Sequence, residues 1–136
     1  MMLDLSRRVD PPSKPYLVLV EHDYYIRELY REILSSDQIN LLTFSNIIPA
    51  LEAIHRHKPA IIFIDVDLPS GTALKLLKQI DQEKIKTKLI LLSNFEGKEA
   101  IRKYLSSQVE GVVETSRVQP DDILRIVYKI LAENKN

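Results

Sequence analysis

Polar side chains that could do chemistry come directly after three apolar segments of this sequence. They are Glu21, His22 and Asp23 after the first segment, Asp65 and Asp67 after the second, and Ser93 after the third. Carboxylates that meet at one site raise each other's pKa unless a cation lies between them. Oxygen-rich clusters suit hard cations such as Mg²⁺, and a serine hydroxyl can donate a hydrogen bond to an incoming oxyanion. The pattern therefore predicts a carboxylate pocket centred on Asp65.

Each of these residues also has a simpler explanation. Asp23 is as well suited to cap the following helix as to bind a ligand, and Asp67 could start the turn before Pro69. A lone histidine such as His22 is more often exposed or hydrogen-bonded than a metal ligand, and Ser93 alone means little. The functional interpretation depends on the conjunction of these residues in this order and spacing.

The elements that would bring them together alternate along the chain. Short apolar runs predict strands, and apolar positions at helical spacing predict helices. The predicted strands are 16–20, 40–44, 60–64, 88–92 and 111–113, and the predicted helices are 24–35, 47–57, 72–80, 98–106 and a last helix opened by Pro120. Such alternation predicts an α/β, doubly wound sheet of five parallel strands with helices on both faces. Functional residues then lie beyond the carboxyl ends of the strands.

Composition narrows the class of protein. The 136 residues suit one domain, and 19 basic residues balance 19 acidic ones, so no basic stripe indicates DNA binding. Absence of cysteine excludes disulfides, and no apolar run is long enough to span a membrane. Residues 1–14 carry charges and two prolines rather than a signal peptide. We therefore expect a cytoplasmic protein with a flexible arm at 1–14 and one domain at 15–136.

Four segments of the chain resemble the receiver domains of response regulators. They are LVLVEHDYYIREL (17–29), IIFIDVDLPSGTALKLL (61–77), KLILLSN (88–94), and GVV (111–113) with PDDIL (120–124). The resemblance covers residues 16 to about 132 and implies a flavodoxin-like, three-layer α/β/α domain. It implies that Asp65 is the phosphoacceptor, Glu21 the first acidic residue, Ser93 the switch hydroxyl, and the main-chain carbonyl of Asp67 a metal ligand.

The sequence departs from the family pattern around this pocket. His22 replaces the second acidic residue, and Thr115 is the candidate replacement for the lysine that follows the last strand. Val112 stands at the aromatic switch position, and Asn94 replaces a small residue. A neutral imidazole binds Mg²⁺ poorly but suits Mn²⁺ or Zn²⁺. We therefore expect weak Mg²⁺ binding and impaired phosphoryl transfer, because the missing lysine would have neutralised the phosphoryl group.

Two functions are compatible with this pattern. The first is a two-component receiver that accepts a phosphoryl group on Asp65 from a histidine kinase or phosphotransfer protein and signals to a downstream protein. The second is a pseudo-receiver, a binding module independent of phosphorylation. An enzyme on the same fold is disfavoured because no glycine-rich phosphate loop is present. Because the chain ends at Asn136, we expect output through protein contacts, including a homodimer, on a partner face. The residues predicted for that face are Arg102, Lys103, Arg125 and Lys129.

Overall fold

The predicted fold is confirmed by a computed structural model that describes residues 14–94, 102–104 and 108–134. The strands are β1 (Tyr16–Val20), β2 (Asn40–Phe44), β3 (Ile61–Asp65), β4 (Lys88–Ser93) and β5 (Val109–Glu114). The helices are α1 (Tyr24–Leu34), α2 (Ile47–His57), α3 (Thr72–Gln82) and α4 (Pro120–Glu133). All strand pairs are parallel, in the order β2-β1-β3-β4-β5. The change of direction between β1 and β3 is where such sheets bind ligands.

Two apolar cores hold the helices on opposite faces of the sheet. On one face, α1 and α4 pack against alternate strand residues, and the ring of Tyr30 meets that of Phe63 edge to face at 5.8 Å. On the other face, α2 and α3 pack against the intervening residues. Every residue of β3 is buried, as expected for a central parallel strand. This packing fixes the carboxyl ends of β1, β3 and β4 relative to one another.

Several helix ends near this edge are capped by their own sequence. The side chain of Asp23 accepts hydrogen bonds from the amides of Tyr25 and Ile26, at 2.8 and 3.1 Å. The capping interpretation of Asp23 is therefore confirmed. Pro120 opens α4 as predicted, within a capping box. No helix in the described ranges is long and apolar enough to cross a bilayer.

Some predicted boundaries differ from the structure. Strands β3 and β4 include Asp65 and Ser93 as their last residues, and β5 is longer than predicted. Leu29 lies at the apolar helical spacing of the segment predicted as helix 24–35, which places it on the packed stripe of α1, but it is 48% exposed. Of the helix predicted at 98–106, residues 98–101 and 105–106 lie outside the described residues, and Arg102–Tyr104 form a 3₁₀ turn. Residues 1–13 of the predicted arm also lie outside the described ranges.

Candidate functional site

Three of the predicted pocket residues lie buried at one edge of the sheet. β1 and β3 are neighbours, and Asp65 pairs in register with Leu92, the residue before Ser93. Glu21, Asp65 and Ser93 are 2%, 3% and 1% exposed, and they are the buried polar or charged residues of the described chain. Isolated buried carboxylates are unfavourable unless they are hydrogen-bonded or paired. Their convergence here is therefore a specific feature and not incidental to the fold.

Both carboxylate oxygens of Asp65 have hydrogen-bond partners. Oδ1 accepts a bond from the amide of Asp67 at 2.7 Å. Oδ2 lies in hydrogen-bond contact with Nδ1 of His22 and at 3.4 Å from the His22 amide. The imidazole thus lies against the oxygen of Asp65 that faces β1. This contact was not predicted from the sequence, which indicated only that His22 would be near.

Glu21, His22 and Asp65 together form a donor set suited to a metal ion. Each offers one ligand atom, and these atoms lie within 4.8 Å of one another. Nδ1 of His22 is 3.4 Å from Oε1 of Glu21, and the histidine side chain is 40% exposed, so the group is open to solvent. Two carboxylates and one imidazole fit a divalent cation that accepts nitrogen as well as oxygen ligands.

Burial raises the pKa of the Glu21 carboxyl from 4.5 to about 8. Its hydrogen bond with Asp65 adds to this shift, as do the negative charges of Asp65 and Asp23. The Asp23 amide, which donates to Oε1 of Glu21 at 3.0 Å, acts in the opposite direction. The sequence predicted that repulsion between carboxylates would raise a pKa in this pocket. For Glu21, burial contributes more to the raised pKa than this repulsion does. At neutral pH the Glu21 carboxyl therefore favours its protonated form.

Thr115 lies at the same edge, beside the end of β4. Ser93 pairs in register with Glu114, and the amide of Thr115 donates to the carbonyl of Ser93 at 3.0 Å. The Thr115 hydroxyl is hydrogen-bonded to the side chain of Asn94. The sequence contains no lysine between Lys103 and Lys129. The position predicted for the missing lysine therefore holds a neutral hydroxyl.

Arg27 is a residue of this edge that the sequence did not reveal. Its guanidinium donates to the carbonyl of Glu21 at 2.9 Å and to that of His22 at 3.3 Å. These bonds tie α1 to the loop that carries both side chains. Because the acceptors are backbone atoms, no residue pattern indicates the interaction. The only sequence feature that points to this interaction is the position of Arg27 in the first turns of α1.

The predicted partner-face residues are exposed and flank the edge strand β5. Arg125 and Lys129 are four residues apart on α4, and Arg125 contacts Asp122 at 3.4 Å. Arg102 and Lys103 belong to the 3₁₀ turn, whose Tyr104 packs into the core on the other side of the sheet. The four cations therefore come from both faces of the sheet, with β5 between them.

The sequence profile of the response regulator receiver domain matches residues 17–128. The chain belongs to this family. It is 32% identical over 68 residues to an uncharacterized response regulatory protein of Vibrio cholerae, a match that covers 48% of this chain and 29% of that protein. The chain thus spans under a third of that relative.

Solved receiver domains share the fold of this chain. The receiver domain of a putative Luxo repressor protein from Vibrio parahaemolyticus superposes with a TM-score of 0.80 at 22% identity, covering 90% of this chain and 94% of that one. A CheY-like receiver domain from Methanospirillum hungatei superposes with a TM-score of 0.79 at 19% identity, covering 90% and 98%. Receiver domains are signalling modules of two-component systems that interact with histidine kinases and downstream effectors, and they bind Mg²⁺ at an acidic pocket.

Proposed function

We propose that this receiver domain accepts a phosphoryl group on Asp65 from a histidine kinase or phosphotransfer protein and signals through protein contacts. The observation that carries the proposal is the buried Asp65 at the carboxyl end of the central strand, with Glu21 and Ser93 at the same edge. A carboxylate can act as the nucleophile in such a transfer, and a neighbouring acidic group can help to hold the metal ion that neutralises the phosphoryl charge.

The transfer requires Oδ2 of Asp65 to be free of His22. The carboxylate oxygen would then form a bond to phosphorus as the phosphorus–nitrogen bond of the donor phosphohistidine breaks. The leaving imidazole takes up a proton, and Ser93 is available to donate to a phosphoryl oxygen. The His22 contact with Asp65 has to be broken first, so we expect slow phosphorylation.

The proposal is tested by incubation with acetyl phosphate and a divalent cation, followed by intact-mass measurement. We expect slow gain of one phosphoryl group, complete loss of that gain in Asp65→Asn, and retention in Asp67→Asn. Labelling that persists in Asp65→Asn would show that Asp65 is not the phosphoacceptor.

The contact between His22 and Asp65 also favours the alternative, a pseudo-receiver that binds partners without phosphorylation. Both oxygens of Asp65 are hydrogen-bonded in the resting pocket, so neither is free to act as a nucleophile. Absence of labelling under every donor and cation, with partner binding unchanged by Asp65→Asn, would favour this second function.

The metal preference of the pocket should differ from that of an all-oxygen site. Glu21, His22 and Asp65 would hold the ion, with the main-chain carbonyl of Asp67 as a further candidate ligand. A bound cation would neutralise negative charge on the phosphoryl oxygens. We expect Mn²⁺ or Zn²⁺ to bind roughly tenfold or more tightly than Mg²⁺, because imidazole nitrogen favours these ions.

Calorimetric titration of each metal checks this preference. His22→Asp should strengthen Mg²⁺ binding and His22→Ala should weaken Zn²⁺ binding, whereas His55→Ala, which changes an exposed histidine of α2, should alter neither. Tight Mg²⁺ binding that is unaffected by His22→Ala would contradict the prediction.

We propose that partners, or a second copy of the chain, dock on the face that flanks β5. Val112 and Tyr128 add exposed apolar surface there, at 38% and 40% exposure. The double variant Arg102→Glu with Arg125→Glu should weaken any self-association by about threefold to tenfold, because charge reversal at an interface opposes docking. Sedimentation equilibrium measures the change, and Arg56→Glu on α2 is the control. Self-association that is equal in all three proteins would rule out this face as the site of self-association.

A further inference from the structure

A basic cavity lies at the edge of the sheet opposite Asp65. Its volume is about 470 Å³, and Lys58, Lys86, Thr87, Lys88 and Gln108 are among the residues that line it. These residues come just before or at the start of β3, β4 and β5, at the amino ends of the strands. A five-residue strand spans about 17 Å. The cavity is therefore separate from the acidic pocket.

Three lysines, Lys58, Lys86 and Lys88, line the cavity. Lys88 is paired with Glu110 at 3.1 Å, whereas Lys58 and Lys86 have no ion-pair partner among the described residues. Two neighbouring basic side chains of α2 are paired with carboxylates, namely His55 with Glu83 and Arg56 with Glu52. In a chain of zero formal net charge, two unneutralised lysines on one cavity favour an anionic ligand.

Lys58 occupies a backbone position that would favour glycine. It follows the last turn of α2 with φ 48° and ψ 65°, in the left-handed region, which side chains with a Cβ adopt at a cost. A cation at a helix C-terminus is favourable, and this accounts in part for Lys58. It does not account for Lys86, which lies beyond the turn that ends α3 at Gln82.

Thr87 provides a second sign of an incomplete polar site. Its hydroxyl is buried and has no hydrogen-bond partner, although the residue lines the cavity. A buried hydroxyl without a partner is unfavourable. Rotation of the Thr87 side chain would bring this hydroxyl to the cavity, where it can donate to an oxygen of an anion beside the lysines.

We propose that this cavity binds a compact phosphorylated anion of nucleotide size. Lysine is a common phosphate ligand because it is a mobile point charge, and a volume of about 470 Å³ lies within the range of small-molecule sites. Two unpaired lysines that line one bounded cavity, in a sequence with no basic stripe, suit a discrete ligand better than an extended nucleic acid.

Calorimetry at low salt with inorganic pyrophosphate and with ADP tests the proposal. We expect both to bind the wild type, and Lys58→Gly and Lys86→Gln each to weaken binding about tenfold. Lys78→Gln, which removes an exposed lysine of α3 outside the cavity, is the matched control. Lys58→Gly should keep or raise the Tm, because glycine relieves the left-handed backbone. This separates loss of binding from loss of folding.

Two results would overturn the proposal. One is that neither pyrophosphate nor ADP binds the wild type; if a 20-nucleotide RNA then binds, the surface is an extended one. The other is a loss of binding in Lys78→Gln equal to that in Lys58→Gly and Lys86→Gln. Asp65→Asn should leave binding of both small anions unchanged, as the two sites lie at opposite edges.

Discussion

Replacing His22 with Asp and Thr115 with Lys in one protein should speed up phosphorylation of Asp65 by about 10²- to 10³-fold. The first change removes the imidazole that contacts Oδ2 of Asp65 and adds an oxygen ligand for Mg²⁺. The second adds a positive charge at the carboxyl edge, where the Thr115 amide is bonded to Ser93. Both changes stabilise the charge that develops as the phosphoryl group arrives.

The time course of mass increase with acetyl phosphate and Mg²⁺ measures this rate. His22→Asp with Ser116→Lys is the matched control, since it adds the same charges with the lysine displaced by one exposed residue. Adding Asp65→Asn to the double variant should abolish labelling. A wild type that is labelled as fast and as completely as the double variant would mean that His22 and Thr115 do not limit the transfer.

The fold could be predicted from the sequence because burial dictates its pattern. A run such as 61–64 is apolar at every position since it is covered on both faces, and amphipathic helices follow each strand. Once the sheet is parallel, the strand-end rule brings Glu21, Asp65 and Ser93 together without further information. Capping by Asp23 was one of two interpretations that the sequence allowed, and the structure supports it; N-cap preference depends only on local sequence.

The remaining features depend on side-chain geometry that no spacing encodes. The contact of His22 with Asp65 depends on the rotamer that His22 adopts at the end of β1. The hydrogen bonds of Arg27 go to backbone carbonyls, which every residue has. Leu29 fits the period of the α1 stripe, yet it lies at the margin of the packed face and remains half exposed. Helical spacing defines a stripe to within about one residue on either side, so its borders are not determined by sequence.

Glu21→Gln should stabilise the protein at alkaline pH and have little effect below about pH 5. The carboxyl has a pKa of about 8 in the folded protein and 4.5 as its ordinary value. Between these values the folded state binds more protons than the unfolded state, so the free energy of unfolding falls as pH rises. The loss begins near pH 4.5 and is complete above pH 8.

Glutamine removes this pH-dependent loss, because it carries no charge and can still accept the bond from the Asp23 amide. Each unit of pKa shift corresponds to about 1.4 kcal/mol. We therefore expect a gain of roughly 2–4 kcal/mol near pH 8.5 and a Tm increase of about 5–15 °C, both shrinking towards zero near pH 5.

Denaturant and thermal unfolding across pH 4.5–9, with EDTA present, measure the difference between wild type and Glu21→Gln. Glu32→Gln, at an exposed position of α1, is the control and should give a difference that does not vary with pH. Added Mn²⁺ should reduce the advantage of Glu21→Gln, because a cation bound between Glu21 and Asp65 stabilises the ionised carboxylate. A stability difference that is flat from pH 5 to pH 8.5 would mean that Glu21 is not held in its protonated form, and that the buried edge already contains enough positive charge to balance its carboxylates.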